Sequence, residues 1–146
     1  MQVINMSDHY DPFNSLIENA NIYDHNTKVV ARHIYSYYCS MNKIEKKLCS
    51  LNISNLSKEE LSSAIEEQSL VFNEYWETES DYWKPCSIGS NEEYSPESIL
   101  SLTVLSDGNG SFVADIEYKD DLLEKIKIAY LVQQFDGKPK IVNKFF

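Results

Sequence analysis

Apolar residues recur at helical spacing through the first half of the chain and at every second position through the second half. Val30, Ile34, Tyr37, Met41, Ile44, Leu48 and Leu51 follow one another at steps of about three and four. That period places them on one stripe of a long helix from near Thr27 to Leu51. Ahead of it, Asp11-Pro12 is a start signal, because aspartate caps and proline fits the first helical turn. Phe13, Leu16, Ile17 and Ala20 then share one face of a short helix. Ser57 and Glu60 have capping-box spacing and open a third helix. Leu61, Ile65, Phe72 and Tyr75 are expected to line its buried face, with Ala64, Val71 and Trp76 beside them, while Glu59, Glu66, Glu67 and Glu74 fall largely on the solvent side.

After Trp83 the period changes. Pro85 and Pro96 bracket a loop-like stretch that contains Gly89. From Ile99 onward alternation takes over, and Leu100, Leu102 and Val104 are expected on one side of a first strand. Asp107-Gly108-Asn109-Gly110 is a turn signal with glycines available for positive φ. Phe112, Ala114, Ile116 and Tyr118 then alternate with Val113, Asp115 and Glu117. Lys119-Asp120-Asp121 turns the chain again. Ile126, Ile128, Tyr130 and Val132 form the apolar side of a third strand, Asp136-Gly137 marks a second hairpin, and Pro139 to Phe146 reads as a closing strand with Ile141 in its interior.

Helices followed by an antiparallel meander define an α+β fold, in which the amphipathic helices cover the apolar side of the sheet. The other side, with Ser101, Thr103, Asp115, Glu117, Lys125 and Lys127, suits water or a polar partner. The 146 residues are read as one domain, with a helical part over about 11–78 and a meander over about 97–146. A hydrophobic share of 42% and an aromatic share of 12% are those of a chain that builds a core.

The charge pattern adds a functional hint. The chain carries 23 acidic and 13 basic side chains, for a net charge of −10. Between Glu59 and Glu124 there are 17 acids and only two bases, Lys84 and Lys119; elsewhere bases outnumber acids 11 to 6. A concentrated negative field attracts cationic macromolecules and repels nucleic acid. Lys43, Lys46 and Lys47 fall late in the long helix, where cations suit the helix dipole. No catalytic motif, cofactor fingerprint or membrane-length apolar run accompanies this polarity, and the N-terminus lacks the pattern of a secretory signal. Cys39, Cys49 and Cys86 have no close paired spacing, and His9, His25 and His33 are scattered, so reduced thiols, no metal site and a cytoplasmic location are expected.

Three stretches carry a family resemblance: Ser40-Met41-Asn42-Lys43-Ile44-Glu45, Val71-Phe72-Asn73-Glu74-Tyr75-Trp76, and Ile88-Gly89-Ser90-Asn91-Glu92-Glu93-Tyr94-Ser95-Pro96-Glu97. In this order, together with the ending Ala129-Tyr130-Leu131-Val132 and Asp136-Gly137-Lys138-Pro139-Lys140-Ile141, the chain resembles the immunity proteins of bacterial polymorphic toxin systems that have a nuclear transport factor 2-like fold. The likeness spans roughly residues 31–146. It departs from the family pattern at Ile44, where an aromatic is usual, and at Glu92-Glu93, where a proline pair is usual. The resemblance implies a cone, with a curved sheet wrapped on helices. It also implies a non-catalytic role in bacterial competition: binding and blocking a cognate toxin domain, which the charge pattern suggests is basic, a nuclease being one candidate.

Contacts with such a partner are expected from Glu77, Glu79, Asp81, Tyr82, Trp83, Glu92, Glu93 and Tyr94, which combine acids with aromatic anchors around the helix-to-sheet connection. Asp115 and Glu117 offer a second contact surface on the sheet. The competing readings are a small-ligand module of the same cone and an enzyme that uses Asp115, Tyr118 or Tyr130 for proton transfer or dehydration. Asp115 alternates away from the predicted interior, which disfavours the enzyme.

Overall fold

The structure is a computed structural model that describes residues 13–14, 16, 24–50, 57–77, 93–119 and 124–145, without the side chains of 48–50. Two helices, α1 (His25–Ser50) and α2 (Lys58–Tyr75), pack on one face of a curved antiparallel sheet. The sheet consists of β1 (Ile99–Ser106), β2 (Ser111–Lys119), β3 (Lys125–Phe135) and β4 (Lys138–Phe145) in the order β1-β2-β3-β4. This is the α+β arrangement that the two hydrophobic periods predict. Among the described residues, no helix is long and apolar enough to cross a membrane.

Local chemistry sets the boundaries. Asp24 caps α1: its carboxylate accepts from the backbone N–H groups of Asn26 and Thr27 at 3.1 and 3.3 Å. At the start of α2 the Ser57 hydroxyl accepts from Glu60 N at 3.0 Å and donates to the Glu60 carboxylate at 3.3 Å. The carboxylate thus meets the hydroxyl where a backbone amide was expected. In the first hairpin Asp107 accepts from the backbone N–H groups of Asn109 and Ser111 at 2.7 and 3.0 Å. Asp136 and Gly137 both take positive φ, 53° and 79°, as a two-residue turn matched to the twist of its strands requires. The connection at 120–123 lies outside the described residues, as does most of the expected first helix. Phe13 is nonetheless buried, with its ring 5.5 Å from Tyr35 and beneath the Arg32 guanidinium.

Val30, Ile34, Tyr37, Met41 and Ile44 are buried along α1, as their period requires. The first four face Phe112, Ala114, Ile116 and Tyr118 of β2, and Ile128, Tyr130 and Val132 of β3. Three expected core positions are exposed, one of them Ile126, 36% exposed near the start of β3. Ile65 is 39% exposed, while Ala64, Gln68 and Phe72 are the residues buried on α2. The small Ala64 packs with Ile44 of α1, so α2 turns that side inward and carries Ile65 out. Leu100 is 43% exposed and Ile99 takes its place in the core. A bulge between Ile99 and Ser101 inserts one extra residue and reverses the parity of the strand. A second bulge lies in β4 opposite Leu131/Val132.

The end of α2 is fastened to the rest of the molecule by side chains. Lys140 of β4 donates to the carbonyls of Asn73 and Glu74, and His33 of α1 meets the carbonyl of Tyr75 at 2.9 Å. These satisfy acceptors that a helix end leaves without intrahelical partners. The chain then runs beside β4: Trp76 forms a parallel bridge with Ile141, and Glu77 N donates to Ile141 O at 2.8 Å.

Candidate functional site

Glu45 joins two of the stretches that carry the resemblance. It lies on the inward side of α1, one helical turn beyond Met41 and two beyond Tyr38, and is 3% exposed. Its carboxylate accepts from the backbone N–H groups of Glu93 and Tyr94 at 2.7 and 2.9 Å, and from the side-chain amide of Asn42 at 3.3 Å. Burial pushes its pKa up, and these hydrogen bonds offset that only in part. One buried carboxylate thereby holds the segment that enters the sheet.

Tyr94, half-buried, packs edge-on against Tyr37 and Tyr38, with ring centroids 5.5 and 5.3 Å away. Trp76 packs on Tyr37 from another side at 6.3 Å and stacks on Phe72 at 4.9 Å. Deeper in, the hydroxyls of Tyr38 and Tyr130 meet at 2.8 Å, and Tyr118 accepts from Ser95 N at 2.9 Å. Burial pushes the phenols of Tyr38 and Tyr130 up, which keeps both protonated at neutral pH. The Lys144 ammonium lies 5.8 and 5.6 Å from the ring centroids of Tyr94 and Tyr130. The interior at this end is therefore a wall of packed tyrosines that share their polar atoms.

The candidate contact residues divide between two places. Glu77, Glu93 and Tyr94 lie where the helices meet the sheet, and Asp115 and Glu117 lie on the sheet face turned away from the helices. Glu79, Asp81, Tyr82, Trp83 and Glu92 lie outside the described residues. Asp115, Tyr118 and Tyr130 do not converge: Asp115 is exposed on the outer face and both tyrosines point into the core.

That outer face is built in rows. Register pairs Leu105 with Val113 and Val113 with Leu131, giving an apolar row. The next row runs Thr103, Asp115, Ala129, Phe145, and the third runs Ser101, Glu117, Lys127. Leu105 and Phe145 are 60% and 48% exposed. The second and third rows line an open depression of about 490 Å³. Alternation assigns Leu105 and Leu131 to the solvent side, so apolar residues at outward positions were the available signal for this face. A smaller depression of about 360 Å³ lies on α2, lined by Ser62, Ile65, Glu66, Ser69 and Leu70.

No family model, curated protein or solved structure matches this chain.

Proposed function

We propose that the chain is an immunity protein that binds and neutralises a cognate toxin domain, and that it does so through an anionic surface laid over a basic groove. The observation that carries this reading is the run of 17 acids against two bases between Glu59 and Glu124, which puts Glu59, Glu60, Glu66, Glu67 and Glu74 on α2 and sets Asp115 and Glu117 beside Lys119, Lys125 and Lys127 on the outer sheet face, where the exposed Leu105 and Phe145 add apolar area. Apolar area supplies the driving force of association, and charge supplies speed and selectivity. The Tyr38 and Tyr130 hydroxyls, paired with each other in the core and kept protonated by burial, favour a rigid binding body over proton-transfer chemistry.

The test is to titrate the purified protein against the C-terminal toxin domain encoded immediately upstream of its gene. Toxin activity is expected to fall to background at stoichiometric inhibitor, with an association rate that drops as salt rises. Full toxin activity at a large excess of this protein rejects the reading.

A further inference from the structure

The geometry points to the depression beside Asp115 as a receptor for an arginine side chain of the protein partner. This deepens the immunity reading and rests on it for the identity of the partner. Two carboxylates share the outer face of β2, but their neighbours across the sheet differ. Glu117 sits opposite Lys127, a cation of the same sheet. Asp115 has Thr103 on one side and Ala129 on the other, so no cation occupies its cross-strand positions.

Ala129 is the smallest side chain in its row, and the residue beyond it is Phe145. The row reads hydroxyl, carboxylate, methyl, aromatic ring. Directly paired side chains in an antiparallel sheet stand about 5 Å apart, so the short Ala129 leaves a gap between Asp115 and Phe145. The open volume of about 490 Å³ lies over these residues. A guanidinium placed over Ala129 would present its paired N–H donors to the Asp115 carboxylate and its flat face to the Phe145 ring. Lysine lacks both the fork and the plane; Lys127, diagonal to Asp115 and lining the same depression, faces Glu117 across the sheet, which offsets its repulsion of an incoming cation. The site therefore discriminates between cations as well as attracting them.

The experiment uses the full chain, labelled with ¹⁵N, and two probes: an acetylated Arg-Arg-Arg amide and its lysine counterpart. The arginine probe is expected to shift the amide signals of Asp115, Ala129 and Phe145, and to bind at least fivefold more tightly than the lysine probe. Asp115→Asn, which removes charge at an exposed position with little change of shape, and Ala129→Leu, which fills the gap and keeps the charge, are each expected to weaken arginine binding about tenfold. The Asn variant keeps the test valid if the Leu variant fails to fold. Equal binding of the two probes, shifts confined to other surfaces, or unchanged affinity in Asp115→Asn overturns the proposal. Both variants are also assayed for toxin protection. Protection retained in both removes this pocket from the interface and leaves the immunity reading standing. Arginine binding as described, without toxin protection by the wild-type protein, has the reverse meaning.

Discussion

Tyr38 and Tyr130 satisfy each other inside the protein: their hydroxyls lie 2.8 Å apart, and their residues are 1% and 0% exposed. A buried hydroxyl deprived of its partner keeps its desolvation cost. Tyr38→Phe and Tyr130→Phe are each expected to destabilise the protein by about 1–3 kcal/mol, whereas the double variant should cost clearly less than the sum. Urea unfolding of the four proteins checks this, and simple additivity would show that the pair is not coupled.

Glu45 is expected to be intolerant of its closest replacement. In Glu45→Gln an amide NH₂ must face a backbone N–H at one of two positions, at a cost of about 1–3 kcal/mol. The pH dependence is distinctive because the folded-state pKa is raised above 4.5. The folded state holds this proton more tightly than the unfolded state, so the stability linked to it is fully present below the unfolded pKa and is lost as pH rises through the folded one. The stability gap between wild type and the Gln variant should therefore narrow as pH increases across that window, measured by denaturant melts at a series of pH values.

His33 should act with the opposite sign. Burial lowers its pKa from 6.5, with Lys140 adding a smaller repulsion. The unfolded chain takes up the proton first, so stability falls as pH drops below 6.5 towards the folded-state value. His33→Gln, which retains a donor near the Tyr75 carbonyl, should flatten this decline. Thermal melts between pH 7 and pH 5 provide the comparison.

The bulge in β1 makes neighbouring residues unequal. Ile99 is 6% exposed and Leu100 43%. Ile99→Ala is expected to cost about 2–4 kcal/mol, and Leu100→Ser under about 0.5–1 kcal/mol. Equal costs, measured by chemical denaturation, would contradict the observed register.

The meander was legible because strand side chains alternate with period two, so Phe112, Ala114, Ile116 and Tyr118 announce their face without any knowledge of what covers it. The parity switch at Ile99-Leu100 left no trace, since both residues are apolar and either could be the buried one. Ile65 lies outside the buried face because the buried positions on α2 include Ala64 and Gln68, a small residue and a polar one, with Ala64 packed on Ile44 of α1. At the site, Asp115 and Glu117 were found together because they stand two apart on one strand. Glu45 was readable as an acid on the core stripe of α1, but its partners are backbone amides far along the chain, and side-chain patterns do not encode those. The row that sets Ala129 between Asp115 and Phe145 depends on the pairing of three strands and appears only with the register.

The bridge between Trp76 and Ile141, with Lys140 on the last carbonyls of α2, also has a bearing on biosynthesis. During translation the second helix emerges long before the strand that seals its end. A nascent chain halted ahead of Lys140 would lack most of β4 and the lysine contacts on that helix end, though it would keep the His33 contact, so the two layers reach their mature form together only once Lys140 has emerged.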